Sequence, residues 1–396
     1  MDAQRNSTQK PDRRGTPSPL PFYLSAAATA HIQGLVAASK SSGFLTSDFL
    51  TRAHQAAAEL RAMLDGIELW QASPIIHTPP DRPAIWQLGN ARLLDTGGDG
   101  QITLVIPSLI NRAYILDLNE RASFLAALQQ DGLRPVLLDW GDPTPQTNEM
   151  DLSDHVARIL IPAVYFLSGM AGGPVHVLGY CMGGTLALAL AQAAPTAVNR
   201  LAMIGAPWRF GNLTGTPAIL RNHIAQSGTQ AFRTALLQTG ITYGAIPSDL
   251  FQFLFALLSP LQVCQKFSRL ARLPEGASDI DAFFRIETWV NDPVPVPASA
   301  ASELLVDWYC EDATSQGRWQ VNGTSVALAQ LSHPALSVRG TTDNIVPPEV
   351  AVSLPEACRS GHDLDVAAGH VGMVAGRAHA QVAYRVCTFL KEKNIS

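Results

Sequence analysis

The chain has 396 residues, of which 47% are apolar and 15% charged, with a net charge of −5 at pH 7. That balance excludes a largely disordered polymer and leaves no global attraction for nucleic acid or anionic lipid. No run reaches the roughly 18 to 20 apolar residues that cross a bilayer, and five cysteines without Cys-x-x-Cys pairs point to a reducing, cytoplasmic setting with no zinc pattern.

Residues 1–20 carry the Pro, Ser, Thr and charge of a solvated tail and are expected to be disordered. Arg13-Arg14 and the later AAATA raise a twin-arginine export signal, which the intervening GTPSPLP and the interruptions at His31 and Gln33 oppose. Residues 21–84 read as an N-terminal helical extension, because TSDFLTRAHQAAAELRAMLDGIELWQ has helical spacing behind Ser47 or Asp48 as a cap. It either lies on the core or contacts a partner or granule.

From residue 85 strand and helix patterns alternate. ITLVIPSL, RPVLLDW and VHVLGY read as strands, and RASFLAALQQDG and DHVARILIPAVYFLSGM as helices. This rhythm predicts an α/β fold with a mostly parallel sheet and helices on both faces. It breaks after LAMIGAPW, so 85–208 is the first part of the core and 209–325, with SDLFQFLFALLSPLQ, an inserted helical lid. The core resumes over 326–396 through PALSVRG and the helix GRAHAQVAYRVCTFLKEK.

The segment GYCMGGTLALALA places Cys181 between Gly179 and Gly183, with a strand before it and a helix after it. In α/β hydrolases a nucleophile sits on such a strand-to-helix turn, and small residues two positions either side let strand and helix approach. The partners of that arrangement follow along the chain as acid and then histidine. Asp343, after the strand pattern SVRG, and His370, in AAGHVGMVAG, occur in that order. His370 would take the proton of Cys181, and the N-terminus of the following helix would favour negative charge on sulfur. The backbone N–H of Met182 and one near Leu109 or Ile110 are the expected oxyanion donors. His155 and His176 read as structural, and His362 and His379 as surface residues.

Sulfur suits an acyl group received from a thioester, because the acyl-enzyme is again a thioester and keeps its group-transfer potential. If a lid keeps water out, a hydroxyl group can attack it and form an ester. This favours acyl transfer over hydrolysis without deciding between them.

The segments VIPSLINRAYILDL, PVLLDWGDP, LGYCMGGTLALALA, FFRIETWVNDP, SVRGTTDNIVPPEVA and AAGHVGMVAG resemble the polyhydroxyalkanoate synthases from about residue 86 to the C-terminus. Length, FFRIETWVNDP and GHVGMVAG resemble the short, two-subunit type. The resemblance implies an α/β-hydrolase fold that polymerises (R)-3-hydroxyacyl-CoA with release of CoA, without a cofactor. Cys181 would be the nucleophile, Asp343 the acid and His370 the base. It also implies a polyester granule, a second synthase subunit and a homodimer as partners, and a cytoplasmic, granule-associated location. The family commonly has a histidine after the triad aspartate, where this chain has Asn344. Asn344 therefore joins Arg112 as a candidate substrate-binding residue. Lys266, Arg269, Arg272 and Arg209 are further candidates for CoA phosphates, although a solvated helix face explains the first three as well. A thioesterase or intracellular polyester depolymerase using the same three residues is the alternative, and a non-catalytic granule-associated protein a second one.

Overall fold

The computed structural model describes residues 46–73, 79–119, 123–258, 260–274, 276–354 and 360–392, with positions 17, 20, 24, 25, 29, 32, 36 and 358. The expected disordered tail, apart from Pro17 and Leu20, and the arginine pair at 13–14 lie outside the described residues. The chain forms two compact units. The smaller comprises Met1–His77 with Gln252–Asn291, and the larger Thr78–Phe251 with Asp292–Ser396.

In chain order, α1 (Ser47–Ala72) opens the smaller unit. Its cap is Thr46, one residue before the expected Ser47 and two before Asp48. Thr46 keeps an extended backbone, and its Oγ1 accepts the Phe49 N–H at 3.2 Å, satisfying one of the first-turn donors.

The larger unit continues with strands β1 (Ala84–Leu88), β2 (Ala91–Asp95) and β3 (Gln101–Ile106). Helix α2 (Phe124–Gln130) follows, capped by the Ser123 hydroxyl on Ala126 N–H at 2.8 Å. Next come β4 (Leu133–Asp139), α3 (Ile161–Ala171), β5 (Val175–Tyr180), α4 (Met182–Ala193) and β6 (Val198–Ile204). A π-type turn over Val156–Leu160 leads into α3 just before Pro162, which brings no N–H to the helical ladder.

Helices α5 (Gly215–Ser227) and α6 (Thr229–Tyr243) are inserted after β6. Then α7 (Ser248–Leu258), α8 (Pro260–Arg272) and α9 (Ser278–Val290) run mostly within the smaller unit. There Met63, Ile67 and Trp70, spaced to share one face of α1, are buried with Ala256, Phe267 and Leu270. A Cβ at Gly66 would lie 2.0 Å from the Phe267 carbonyl oxygen, so glycine is what lets α1 and α8 approach. The apolar stripe of the N-terminal helix is thus covered by helices from the inserted segment.

The small hairpin β7 (Gln320–Val321) and β8 (Thr324–Ser325), then β9 (Ala335–Gly340), β10 (Gly361–Val366) and α10 (His379–Lys391) complete the larger unit. Its sheet has the order β1-β2-β4-β3-β5-β6-β9-β10, antiparallel at β1/β2 and β2/β4 and parallel elsewhere. α2 packs with α10, and the π turn with both α3 and α4, giving helical layers on both faces. The chain steps from β3 outward to β4, then returns to β5 on the other side of β3. A crevice therefore opens at the carboxyl ends of β3 and β5, where open α/β sheets place their ligands.

Candidate active site

Cys181 occupies that crevice. It directly follows β5, and its backbone is held at φ +57° and ψ −132°. A side chain at such φ costs roughly 1–3 kcal/mol and persists only where its surroundings enforce it. Here three glycines do so. A Cβ at Gly179 would lie 2.4 Å from the Gly183 carbonyl oxygen, one at Gly183 would lie 2.2 Å from that of Ile106, and one at Gly184 would lie 2.5 Å from the Ala206 Cβ. The Gly-x-Cys-x-Gly frame is therefore a requirement of close approach between β5, α4 and the end of β3.

Asp343 and His370 reach the same end of the sheet from the exits of β9 and β10. Both are buried, and His370 Nδ1–H donates to Asp343 Oδ2 at 2.6 Å. The other oxygen, Oδ1, accepts the backbone N–H groups of Ile345 at 2.8 Å and Val346 at 2.9 Å, which fixes the carboxylate plane. Gly205, at φ +56°, makes room for the imidazole; a Cβ there would stand 2.9 Å from His370 Cε1.

The structure departs from the sequence expectation at the third link. Asp343 and His370 form a buried hydrogen-bonded pair, but Nε2 of His370 has no hydrogen-bond partner among the described residues, so a closed Cys-His-Asp relay is not formed. Cys181 is nevertheless a neighbour of the ring. Burial alone would lower the imidazole pKa, but the charge of Cys181 and the Asp343 hydrogen bond outweigh it and hold the pKa above the ordinary histidine value.

Tyr180, overlooked in the sequence because an aromatic in a buried strand signals only packing, lies against this pair. Its ring is tilted over His370 with centroids 5.1 Å apart, and its O–H donates to the His370 carbonyl at 3.4 Å. Burial, with the charges of Cys181 and Asp343, raises the phenol pKa well above its ordinary value.

Met182 is the first residue of α4, where backbone N–H groups precede the helix's own acceptors. Of the two loop amides after β3, Ile110 N–H is committed to Ser108 Oγ at 3.2 Å, whereas Leu109 N–H has no partner among the described residues.

The expected phosphate contacts fare differently. Arg112 is not an open cation, because its guanidinium faces Asp142 at 2.8 Å and Asp292 at 3.6 Å. It borders a cavity of about 240 Å³ whose other arginines are also matched, Arg82 by Asp117 and Arg92 by Asp139. Lys266 pairs with the buried Glu287, while the exposed Arg269 and Arg272 pair with Asp279 and Glu59. Arg209 donates to the Ser353 carbonyl at 3.3 Å. Asn344 is exposed beside Asp343. His155 and His176 are buried, with His155 Nδ1 at 2.6 Å from the Asp151 carbonyl. Among the described residues no group of three or more His, Cys, Asp or Glu is placed to hold a metal ion, and no helix is long and apolar enough to cross a membrane.

This combination of sheet order, cysteine elbow and buried His–Asp pair defines an α/β-hydrolase architecture. A family model of the alpha/beta hydrolase fold matches residues 115–375, more than half of the chain, and the chain belongs to that family. Among curated proteins it is similar to the poly(3-hydroxyalkanoate) polymerase subunit PhaC of Haloferax mediterranei, 29% identical over 74% of this chain and 58% of that protein. It is likewise similar to those of Haloarcula marismortui, 27% over 74% and 61%, and Thiocystis violacea, 25% over 74% and 81%. The match therefore spans less than two thirds of the first two relatives.

Proposed function

We propose that this chain is a cysteine-dependent enzyme of the α/β-hydrolase fold that takes acyl groups from thioesters or esters onto Cys181. The observation that carries the reading is a cysteine held at φ +57° beside a buried His370–Asp343 pair whose Nε2 is uncommitted. Nε2 is the ring nitrogen left to accept the thiol proton, while Asp343 fixes the tautomer through Nδ1. In acylation the Cys181 sulfur bonds to the acyl carbon, the bond from that carbon to the leaving thiol of a thioester or the leaving hydroxyl of an ester breaks, and the proton passes through His370 to the leaving group. The amides of Met182 and Leu109 would hold the anionic oxygen of the tetrahedral intermediate. In the second half, water adds to the acyl carbon, the carboxylic acid leaves, and the proton returns to Cys181. These steps describe a thioesterase or a polyester depolymerase.

One observation favours a second reading: the relatives above are named poly(3-hydroxyalkanoate) polymerases. In it the acceptor is a hydroxyl of another acyl chain, so an ester forms in place of a free acid and the product grows. A polyester granule, a second subunit, a homodimer and a cytoplasmic, granule-associated location belong to this reading. Incubating the purified chain with (R)-3-hydroxybutyryl-CoA and following both CoA and the acyl group separates the two. Free 3-hydroxybutyrate supports hydrolysis, and insoluble polyester supports polymerisation. No CoA release with this or a longer acyl-CoA, and no acylation of Cys181 by an acyl ester, would overturn both.

A further inference from the structure

The loop leaving β3 is buried from Pro107 to Ile110, yet not all of its backbone donors are used. Ile110 N–H goes to Ser108 Oγ, whereas Ser108 N–H and Leu109 N–H, the second an expected oxyanion donor, have no acceptor among the described residues. A buried unpaired N–H is costly and points to a ligand group that completes it.

The exit of β4 holds this loop at two points, and Asp292 on Arg112 and an antiparallel bridge between Asn111 and Pro293 hold its far end as well. Trp140 Nε1–H donates to the Pro107 carbonyl at 3.1 Å, two residues before Leu109. Asp142 pairs with Arg112 at 2.8 Å, three residues after it. The gripping loop is itself anchored. Gly141 N–H donates to Asp139 Oδ1 at 3.1 Å, and the Asn90 side-chain amide donates to the Asp142 carbonyl at 2.8 Å. Gly141 sits at φ +68°, and a Cβ there would lie 2.4 Å from the Asn90 carbonyl oxygen, so the turn fits only with glycine. Behind it, the Trp140 ring meets His155 edge to face with centroids 5.6 Å apart. On the far side, Ile106 and Pro107 lie against the elbow, where Gly183 has no room for a Cβ.

We infer that Trp140 and Asp142 are positioning residues that grip the β3 loop at both ends and aim Leu109 N–H at the anionic oxygen formed over Cys181. The inference rests on the reading of Cys181 as the acyl acceptor. Neither side chain is assigned a contact with the substrate; each acts through the loop.

The test uses the full chain carrying Trp140→Phe, which keeps a ring but removes the donor, and Asp142→Asn, an exposed change that should fold even if the first does not. Three readouts are compared with wild type: CoA release from (R)-3-hydroxybutyryl-CoA, alkylation of Cys181 by iodoacetamide, and amide hydrogen exchange over 107–112. Trp140→Phe should lower kcat by about 10- to 100-fold with little change in KM, below the ~10²–10³-fold cost of deleting an oxyanion donor outright. Asp142→Asn should lower kcat by roughly 3- to 10-fold, since its ion pair is solvent-screened. Alkylation should keep its wild-type rate, because displacement at a saturated carbon creates no oxyanion. Exchange over 107–112 should quicken in both variants.

Wild-type kcat, unchanged exchange, or alkylation falling in step with kcat would overturn the inference. A wild-type chain that releases no CoA while exchange still quickens in the variants would fail the acyl-transfer reading itself. It would reduce the grip to a structural tie, which also overturns its positioning role.

Discussion

An Asp343→Asn substitution replaces one oxygen by nitrogen and should reverse the sense of one hydrogen bond. Oδ1 of Asp343 is fixed by two backbone donors, Ile345 N–H and Val346 N–H, so the asparagine carbonyl must take that position. Its NH₂ then faces His370 Nδ1, where the carboxylate accepts at 2.6 Å. The imidazole responds by carrying its proton on Nε2, the nitrogen needed to receive the thiol proton. Where an acid-to-amide change forces this wrong tautomer, turnover falls about 10⁴-fold, which is about 5.5 kcal/mol of activation free energy. Stability should fall by only about 1–2 kcal/mol, because the loop bonds survive and a neutral histidine remains hydrogen-bonded. The assay is acylation-linked CoA release, with a thermal melt as fold control and imidazole ¹⁵N shifts to read the tautomer. Retention of more than about a tenth of wild-type turnover would refute the tautomer reasoning.

Further expectations follow from the same geometry. Cys181→Gly should abolish turnover yet raise the melting temperature by about 2–4 °C, since glycine releases roughly 1–3 kcal/mol of strain at φ +57° and returns part of it as unfolded-state entropy; a lower melting temperature would count against enforced strain at the elbow. Gly183→Ala should cost about 1–3 kcal/mol and most of the activity, because the new methyl meets the Ile106 oxygen at 2.2 Å; a wild-type melt and rate would show that the approach is not tight. Glu303, buried and bonded to Leu152 N–H, Ser153 N–H and the Ser153 hydroxyl, has its pKa raised from 4.5 to about 7 by burial and then by Asp151, against those bonds. Its protonated form is the one favoured by folding, so its contribution is full below about pH 4.5 and is lost as pH rises through about 7. Glu303→Gln should remove roughly 3 kcal/mol of that pH dependence and melt higher than wild type at pH 8; melting curves that keep the same pH slope would argue against it.

The parts of the fold legible in the sequence are those that local rules dictate. The buried strands around ITLVIPSL and VHVLGY are continuous apolar runs, and the elbow shows because three close approaches each demand a glycine at a fixed offset from Cys181. Asp343 and His370 were legible through their order after the elbow, although sequence could not show that Nε2 stands without a partner among the described residues. β10 was hidden because GHDLDV is an edge strand with mostly open side chains and only two apolar residues, Leu364 and Val366. The β1–β2 hairpin was hidden behind a short run whose burial is only partial. Arg112 looked like an anion contact because its carboxylate partners, Asp142 and Asp292, are 30 and 180 positions away in sequence. The same distance conceals Trp140 on the Pro107 carbonyl and Tyr180 on His370, contacts that exist only once the strands stand side by side.

The most direct measurement is intact and peptide mass spectrometry of the chain after brief exposure to (R)-3-hydroxybutyryl-CoA, alongside Cys181→Ala. An acyl adduct on the Cys181 peptide, present in wild type and absent with CoA release in the variant, is the expected result. Sustained CoA release by Cys181→Ala, or an adduct on another residue with Cys181 unmodified, would contradict Cys181 as the acyl acceptor.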